Sequence, residues 1–297
     1  MLSPHPLAVP PQLDVLQPRR QRAILRAPFK NTQLPDGTLW LVHYRRRSGF
    51  LLRFPGLADF AINPAATAVS CVPAPDTTVA TVEHLFLNQI VPMALSQQGR
   101  LVLHGSAVNC SSRALAFLGD SGQGKSTLAG HFASHGMPFL TDDGLFIDQL
   151  GDRARVVPGH RSIRLWADSE QSLLPSGSKK ADEVQFTSKA RFHADGVFVH
   201  CGDAINLQCI YVLRNSGVDS VTIAPMPKAA AFMALVNHSF LLDTESSEVL
   251  ARHFSQLQTL IGTTKVFSLD YPREFAQLPQ VKNAIVAHAH SLPDCEL

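Results

Sequence analysis

The chain has 297 residues, 45% of them hydrophobic and 17% charged, enough apolar material for one large domain or two modest ones without covalent staples. Twenty-six Lys and Arg face 24 Asp and Glu, so no overall field exists to draw the chain onto nucleic acid or an anionic membrane. Five cysteines (Cys71, Cys110, Cys201, Cys209 and Cys295) form no CxxC pair and are odd in number, which argues against a disulfide framework and a cysteine zinc site. Prolines break the first residues before an apolar h-region forms, and no run of about 18 apolar residues follows; a cytoplasmic protein with no membrane partner is expected.

Residues 1–30 carry six prolines and the cluster Arg19-Arg20-Gln21-Arg22, and predict an irregular arm. Residues 31–98 predict a small β-rich domain ending in a helix. Its β-rich runs at 39–44, 50–54, 60–62 and 69–72 are separated by turn residues such as Ser48-Gly49 and Pro55-Gly56. Apolar residues at helical spacing (Val79, Val82, Leu85, Phe86, Ile90) predict a helix over 79–95 that Pro92 bends or ends. From 99 to 297 strands alternate with helices, the mark of an α/β domain. Strands are predicted at 101–103, 114–118, 139–141, 156–157, 197–199, 207–213 and 221–223. Helices are predicted at 125–135, closed by Gly136, and at 229–237 and 247–260.

The segment Gly119-Asp120-Ser121-Gly122-Gln123-Gly124-Lys125-Ser126 follows an apolar strand and opens a helix, the context that gives the phosphate-loop pattern its meaning. Gly119, Gly122 and Gly124 let the backbone curl so that its N–H groups face phosphate oxygens, and the helix N-terminus adds to that field. Lys125 would reach the β and γ phosphates, and the Ser126 hydroxyl would ligate Mg²⁺. With Ser121, Gln123 and Thr127, these are the expected contacts for ATP with Mg²⁺.

Asp142-Asp143 follow the loop by one helix, a turn and a strand. Ligands bind beyond the carboxyl ends of strands in an open α/β sheet, so the pair should face the same crevice. One carboxylate can help to hold Mg²⁺ while the other accepts a proton from an attacking hydroxyl; adjacent aspartates also serve as turns or helix caps. His104, at the end of the strand over 101–103, could contact phosphate or tune the aspartates. Arg161, Arg164, Lys189 and Arg191 either steady a triphosphate and receive an anionic substrate, as a guanidinium fork suits, or form a solvated basic surface. Arg45-Arg46-Arg47 reads as solvated, Trp40 and Trp166 as core, and the other histidines, including His288 and His290, as packed or exposed.

His104-Gly105-Ser106-Ala107-Val108, then the loop with its preceding Phe117-Leu118, then His135-Gly136-Met137-Pro138-Phe139-Leu140-Thr141-Asp142-Asp143 resemble the HPr kinase/phosphorylase family over about 40 residues. The resemblance implies a phosphate-loop kinase domain of the HPr kinase and phosphoenolpyruvate carboxykinase type that phosphorylates a serine of a peptide or small protein. It implies Asp142 as general base, Asp143 as a partner near metal and phosphate, and His104 as a phosphate-side residue. It also admits a homo-oligomer. Where that family carries Glu-Ile-Arg-Gly with a metal-binding glutamate, this chain has Ser162-Ile163-Arg164-Leu165, so phosphorylase activity is not expected. Residues 158–166 and the later Ile210-Tyr211-Val212-Leu213 look like the related kinases of lasso-peptide biosynthesis, which act on the C-terminal serine of a precursor. A non-catalytic ATP-binding switch or assembly protein and a small-molecule kinase are the alternatives.

Overall fold

The computed structural model describes residues 10–34, 36–151, 153–175, 178–194 and 198–293. The chain is of mixed α/β class and divides into two compact units. One holds the chain up to residue 100 together with 183–187 and 240–253, and the other holds the remainder.

In the first unit β1 (Gln12–Val15), β2 (Lys30–Gln33), β3 (Leu39–Arg46), β4 (Gly49–Phe54), β5 (Ala58–Ile62) and β6 (Ala68–Pro73) form one sheet in the order β1-β6-β5-β4-β3-β2. Strand alternation sets its inner face: Ala58, Phe60 and Ile62 of β5 are buried while Asp59 and Ala61 are half-buried. Trp40, Phe54 and Phe60 meet edge to face there, with centroids 5.1 and 5.8 Å apart, the geometry that aromatic quadrupoles prefer. Gly49 opens β4 at φ +117°, where a Cβ would lie 2.1 Å from the Ile62 carbonyl oxygen, so the β3–β4 turn requires glycine.

Two expectations are corrected here. Part of the stretch read as an irregular arm is β1, parallel to β6; Gln12, Leu16 and Arg19 donate their N–H groups to Thr67, Cys71 and Pro73, and Pro10, Pro11 and Pro18 fall outside those donor positions. Of Arg45-Arg46-Arg47, read as solvated, Arg46 and Arg47 are exposed, whereas Arg45, its side chain 41% exposed, donates two bonds of 2.7 and 2.6 Å to the buried carboxylate of Asp243 and lies over the rings of Phe29 and Phe50. The helix expected over 79–95 forms as α1 (Val79–Leu85), a π-helical turn (Phe86–Ile90) and α2 (Val91–Gln97). Pro92 lacks an N–H and its ring crowds the carbonyl four residues back, and the widened turn before it relieves that conflict. Thr78 caps α1 by accepting from the Thr81 N–H.

The second unit contains β7 (Leu101–Cys110), β8 (Arg113–Leu118), α3 (Lys125–Ser134), β9 (Phe139–Thr141), β10 (Gly144–Leu150), β11 (Arg153–Val157), β12 (Ser162–Leu165), α4 (Ala167–Leu173) and β13 (Ala190–His193). It continues with β14 (Ile205–Leu213), β15 (Thr222–Pro225), α5 (Lys228–Asn237), the larger part of α6 (Ser247–Thr263), β16 (Lys265–Asp270) and α7 (Leu278–Ser291). The main sheet runs β11-β10-β7-β8-β14-β16-β15 with β9 on β7, and β11 also pairs β14; β12 and β13 form a separate hairpin. Strands β8, β14 and β16 are mutually parallel, so their carboxyl ends share one edge. Buried Phe117, Leu128, Phe132, Phe139 and Tyr211 form the core between the sheet and α3 and α7. Of the strand expected at 197–199, residue 197 lies outside the described residues, and Phe198 and Val199 are not in a strand. β7 runs well past 103, so His104 sits inside it. Gly105 allows a close approach to β8, where a Cβ would lie 2.6 Å from Leu118 Cδ2, and does not end the strand.

Phe54→Ala should lower the unfolding free energy by about 3–5 kcal/mol in denaturant melts, the usual cost of deleting a fully buried ring. A loss below about 1 kcal/mol would mean that the Trp40–Phe54–Phe60 cluster is not a core.

Candidate active site

The loop from β8 to α3 has the backbone that its glycines permit. Gly122 and Gly124 stand at φ +85° and +87°, in the left-handed region that side chains disfavour. A Cβ on Gly124 would also lie 2.7 Å from the Tyr271 hydroxyl, so glycine is required there twice over. Lys125 is buried, and its Nζ donates to the carbonyls of Gly119 (2.7 Å) and Asp120 (3.0 Å) across the loop. Burial lowers its pKa, opposed by the charges of Asp143 and Asp142. The Gln123 side chain accepts from the Asp120 N–H at 3.0 Å. Gly119, Ser121, Gly122, Gln123 and Gly124 therefore line the loop, and Lys125, Ser126 and Thr127 form the first turn of α3.

The Ser126 hydroxyl donates to Asp142 Oδ1 at 2.8 Å, and the Arg164 N–H donates to Asp142 Oδ2 at 3.0 Å. Burial, then the charge of Asp143, pushes the Asp142 pKa up to about 6; the charge of Lys189 and the two hydrogen bonds pull the other way. Asp143 adopts φ +66° in the reversal from β9 to β10, a conformation that aspartate tolerates better than most residues. Its carboxylate accepts from Arg164 Nη1 at 2.9 Å in a partly buried ion pair. His104 lies opposite Gly144 in the β7–β10 register and accompanies Lys125 and Asp143 electrostatically; burial, then the charge of Lys125, lowers its pKa to about 4, so it is neutral at pH 7.

Ser126 contacts Asp142, while Asp143 is engaged by Arg164, because β12 brings that guanidinium to the outer aspartate. Thr127 is turned away from the loop onto Ser169 of α4, 3.0 Å between hydroxyls. Of the four basic candidates, Arg164 bonds Asp143 and the charge of Lys189 reaches Asp142, and the charges of Arg191 and Arg161 reach His160 and His200. Trp166, expected in the core, is 41% exposed with the Lys189 ammonium 5.3 Å from its ring centroid.

Tyr271 and Arg273 belong to this neighbourhood, although no motif in the sequence marks them. Arg273 donates to the Gln123 carbonyl at 2.7 Å and to the Arg214 carbonyl, and its guanidinium lies 3.9 Å from the centroid of the Tyr271 ring. The signal that could have found them is position: both follow β16, whose carboxyl end lies on the same edge as the loop.

Among the described residues no group of three or more His, Cys, Asp or Glu side chains is placed to hold a metal ion. Mg²⁺ does not need one, since it keeps several waters and takes one or two carboxylates beside phosphate oxygens. The donors here, the Ser126 hydroxyl and the Asp143 carboxylate with Asp142 beside them, are all hard oxygens of the kind Mg²⁺ takes. The residues fit the ion.

No protein-family model matches the chain, and no curated protein matches it. Among solved structures it is similar to the HPr(Ser) kinase/phosphatase from Coxiella burnetii, with a TM-score of 0.35 and 10% identity, over 64% of this chain and 97% of that one.

Because the folded-state pKa of Asp142 is raised, its contribution to stability is complete below the unfolded value and is lost as pH rises through about 6. In metal-free buffer, Asp142→Asn should therefore gain melting temperature relative to the parent as pH goes from 4 to 8. A difference that stays flat over that range would show that the carboxylate is not strained by burial.

Proposed function

We propose that this chain is an ATP-dependent kinase that transfers a phosphoryl group to a serine hydroxyl of a peptide or small protein. The observation that carries the reading is Asp142: a carboxylate buried against the first turn of the helix after a glycine-rich loop, with a pKa raised to about 6, where a general base works best near neutral pH. The unit is read as a phosphate-loop kinase domain of the HPr kinase and phosphoenolpyruvate carboxykinase type, preceded by the β-rich unit.

In this reading the loop amides and the N-terminus of α3 bind the phosphate oxygens, and Lys125 exchanges its loop carbonyls for the β and γ phosphates. Ser126 and Asp143 would hold Mg²⁺, which supplies charge neutralisation on the phosphates. The serine oxygen forms a bond to the γ phosphorus as the bond from that phosphorus to the β-phosphate oxygen breaks. ADP leaves, and the hydroxyl proton passes to Asp142. Neutral His104 borders the phosphate side, and Arg164 holds Asp143 in place. Arg161, Arg164, Lys189 and Arg191 are the candidates for receiving an anionic acceptor; Lys189 and Arg164 are best placed by their action on the aspartates. The narrower acceptor, the C-terminal serine of a lasso precursor, rests on the sequence resemblance at 158–166 and 210–213.

Incubation with Mg-ATP and peptides ending in serine, read by mass spectrometry, should show gain of one phosphoryl group. Asp142→Asn should slow transfer by about 100-fold or more while ATP affinity changes by only a few fold. Ser162, in place of the family's metal-binding glutamate, favours one competing reading, an ATP-binding switch; ATP binding with every acceptor at unchanged mass would establish it and refute the kinase.

A further inference from the structure

At the far end of α3 from Lys125, the last turn faces a cavity of about 250 Å³ bounded by α4 and the start of α7; His131, Ser134, His135 and Ser172 are its polar lining. His131 and His135 are four residues apart, so a helix places them on one face, and their ring centroids are 4.2 Å apart. The His131 side chain is buried and its Nε2 has no hydrogen-bond partner. The Nε2 atom is itself closed off from solvent, on a residue that lines the cavity, and an unmet buried polar atom marks a missing partner. His135 Nδ1 lies 2.8 Å from the His131 carbonyl. A carbonyl only accepts, so Nδ1 carries the proton and Nε2 keeps a bare lone pair, the tautomer and orientation that backbone carbonyls impose on metal-ligating histidines.

We propose that His131 and His135 bind a divalent late transition-metal ion, of the zinc, nickel and copper class, at the C-terminal end of α3. Two imidazoles on adjacent turns of a helix are the chelating pair of helical metal sites, and imidazole nitrogen selects these ions over Mg²⁺ or Ca²⁺. The remaining coordination positions belong to water entering from the cavity. Lys282 opposes a cation, and the partial negative charge at the C-terminus of α3 favours one. This site differs from the oxygen-lined one at Ser126 in its donors and its place on the helix, and it does not depend on the kinase reading.

The test is calorimetric titration of the full chain with ZnCl₂ in millimolar MgCl₂, which keeps the oxygen site supplied with its own ion. One zinc equivalent should bind to the parent protein, and His135→Ala, at an exposed position, should weaken that equivalent at least 10-fold with an unchanged circular dichroism spectrum. Nitrogen hyperfine structure in the spectrum of bound Cu²⁺ should be reduced in the same variant. Absence of a zinc equivalent in the parent, or an equivalent that His135→Ala leaves unchanged, overturns the proposal.

Discussion

The contact on which the candidate site turns is the hydrogen bond from Ser126 to the buried carboxylate of Asp142. A carboxylate taken out of water must be compensated, and here three parts of the chain meet to do so: the first turn of α3, the end of β9 and the N–H of Arg164 on β12. The compensation is incomplete, since Asp143 stands beside Asp142 and the pKa of Asp142 remains raised. Stability is thus given up at this buried carboxylate, as is common where polar groups cluster in candidate functional sites.

The same site is held open by backbone geometry. Gly122 and Gly124 carry the curl between β8 and α3, and Lys125 bonds the carbonyls of that curl from within. Arg273 holds the loop from outside through the Gln123 carbonyl, with Tyr271 beneath its guanidinium. The parallel run β8, β14, β16 explains why residues so distant in sequence meet: the carboxyl ends of all three strands lie on one edge, so the glycine-rich loop, Arg214 and Tyr271 are neighbours.

Helix α3 joins two chemically different ends. Lys125 and Ser126 open it among oxygen donors, and His131 and His135 close it beside a cavity walled partly by Phe275, Leu278 and Leu173. Between them Leu128, Ala129, Phe132 and Ala133 are buried, which ties the helix firmly to the sheet. Thr127 bonds Ser169 on α4, so the helix is also fastened on the side away from the loop.

Local chemistry is legible in the residues themselves. The glycine-rich loop, the helix from Lys125, the strand over 139–141 and the β-rich runs from 39 to 72 follow from positive-φ glycines, turn residues and apolar periodicity, which act over a few residues. Two adjacent aspartates at the end of a strand are equally plain. Which aspartate meets Ser126 and which meets Arg164 is not, because that depends on where β12 lies. Nor does local pattern reveal the pairing of Arg45 with Asp243, the exposure of Trp166, the parallel β1 among prolines, or Tyr271 and Arg273 beside the loop. The sequence by itself determined the residue types at the candidate site, since backbone conformation and the hydrogen-bonding capacity of each side chain restrict them one position at a time; the tertiary structure decided which of them touch, because burial and ion pairing depend on distances between segments that no local pattern records.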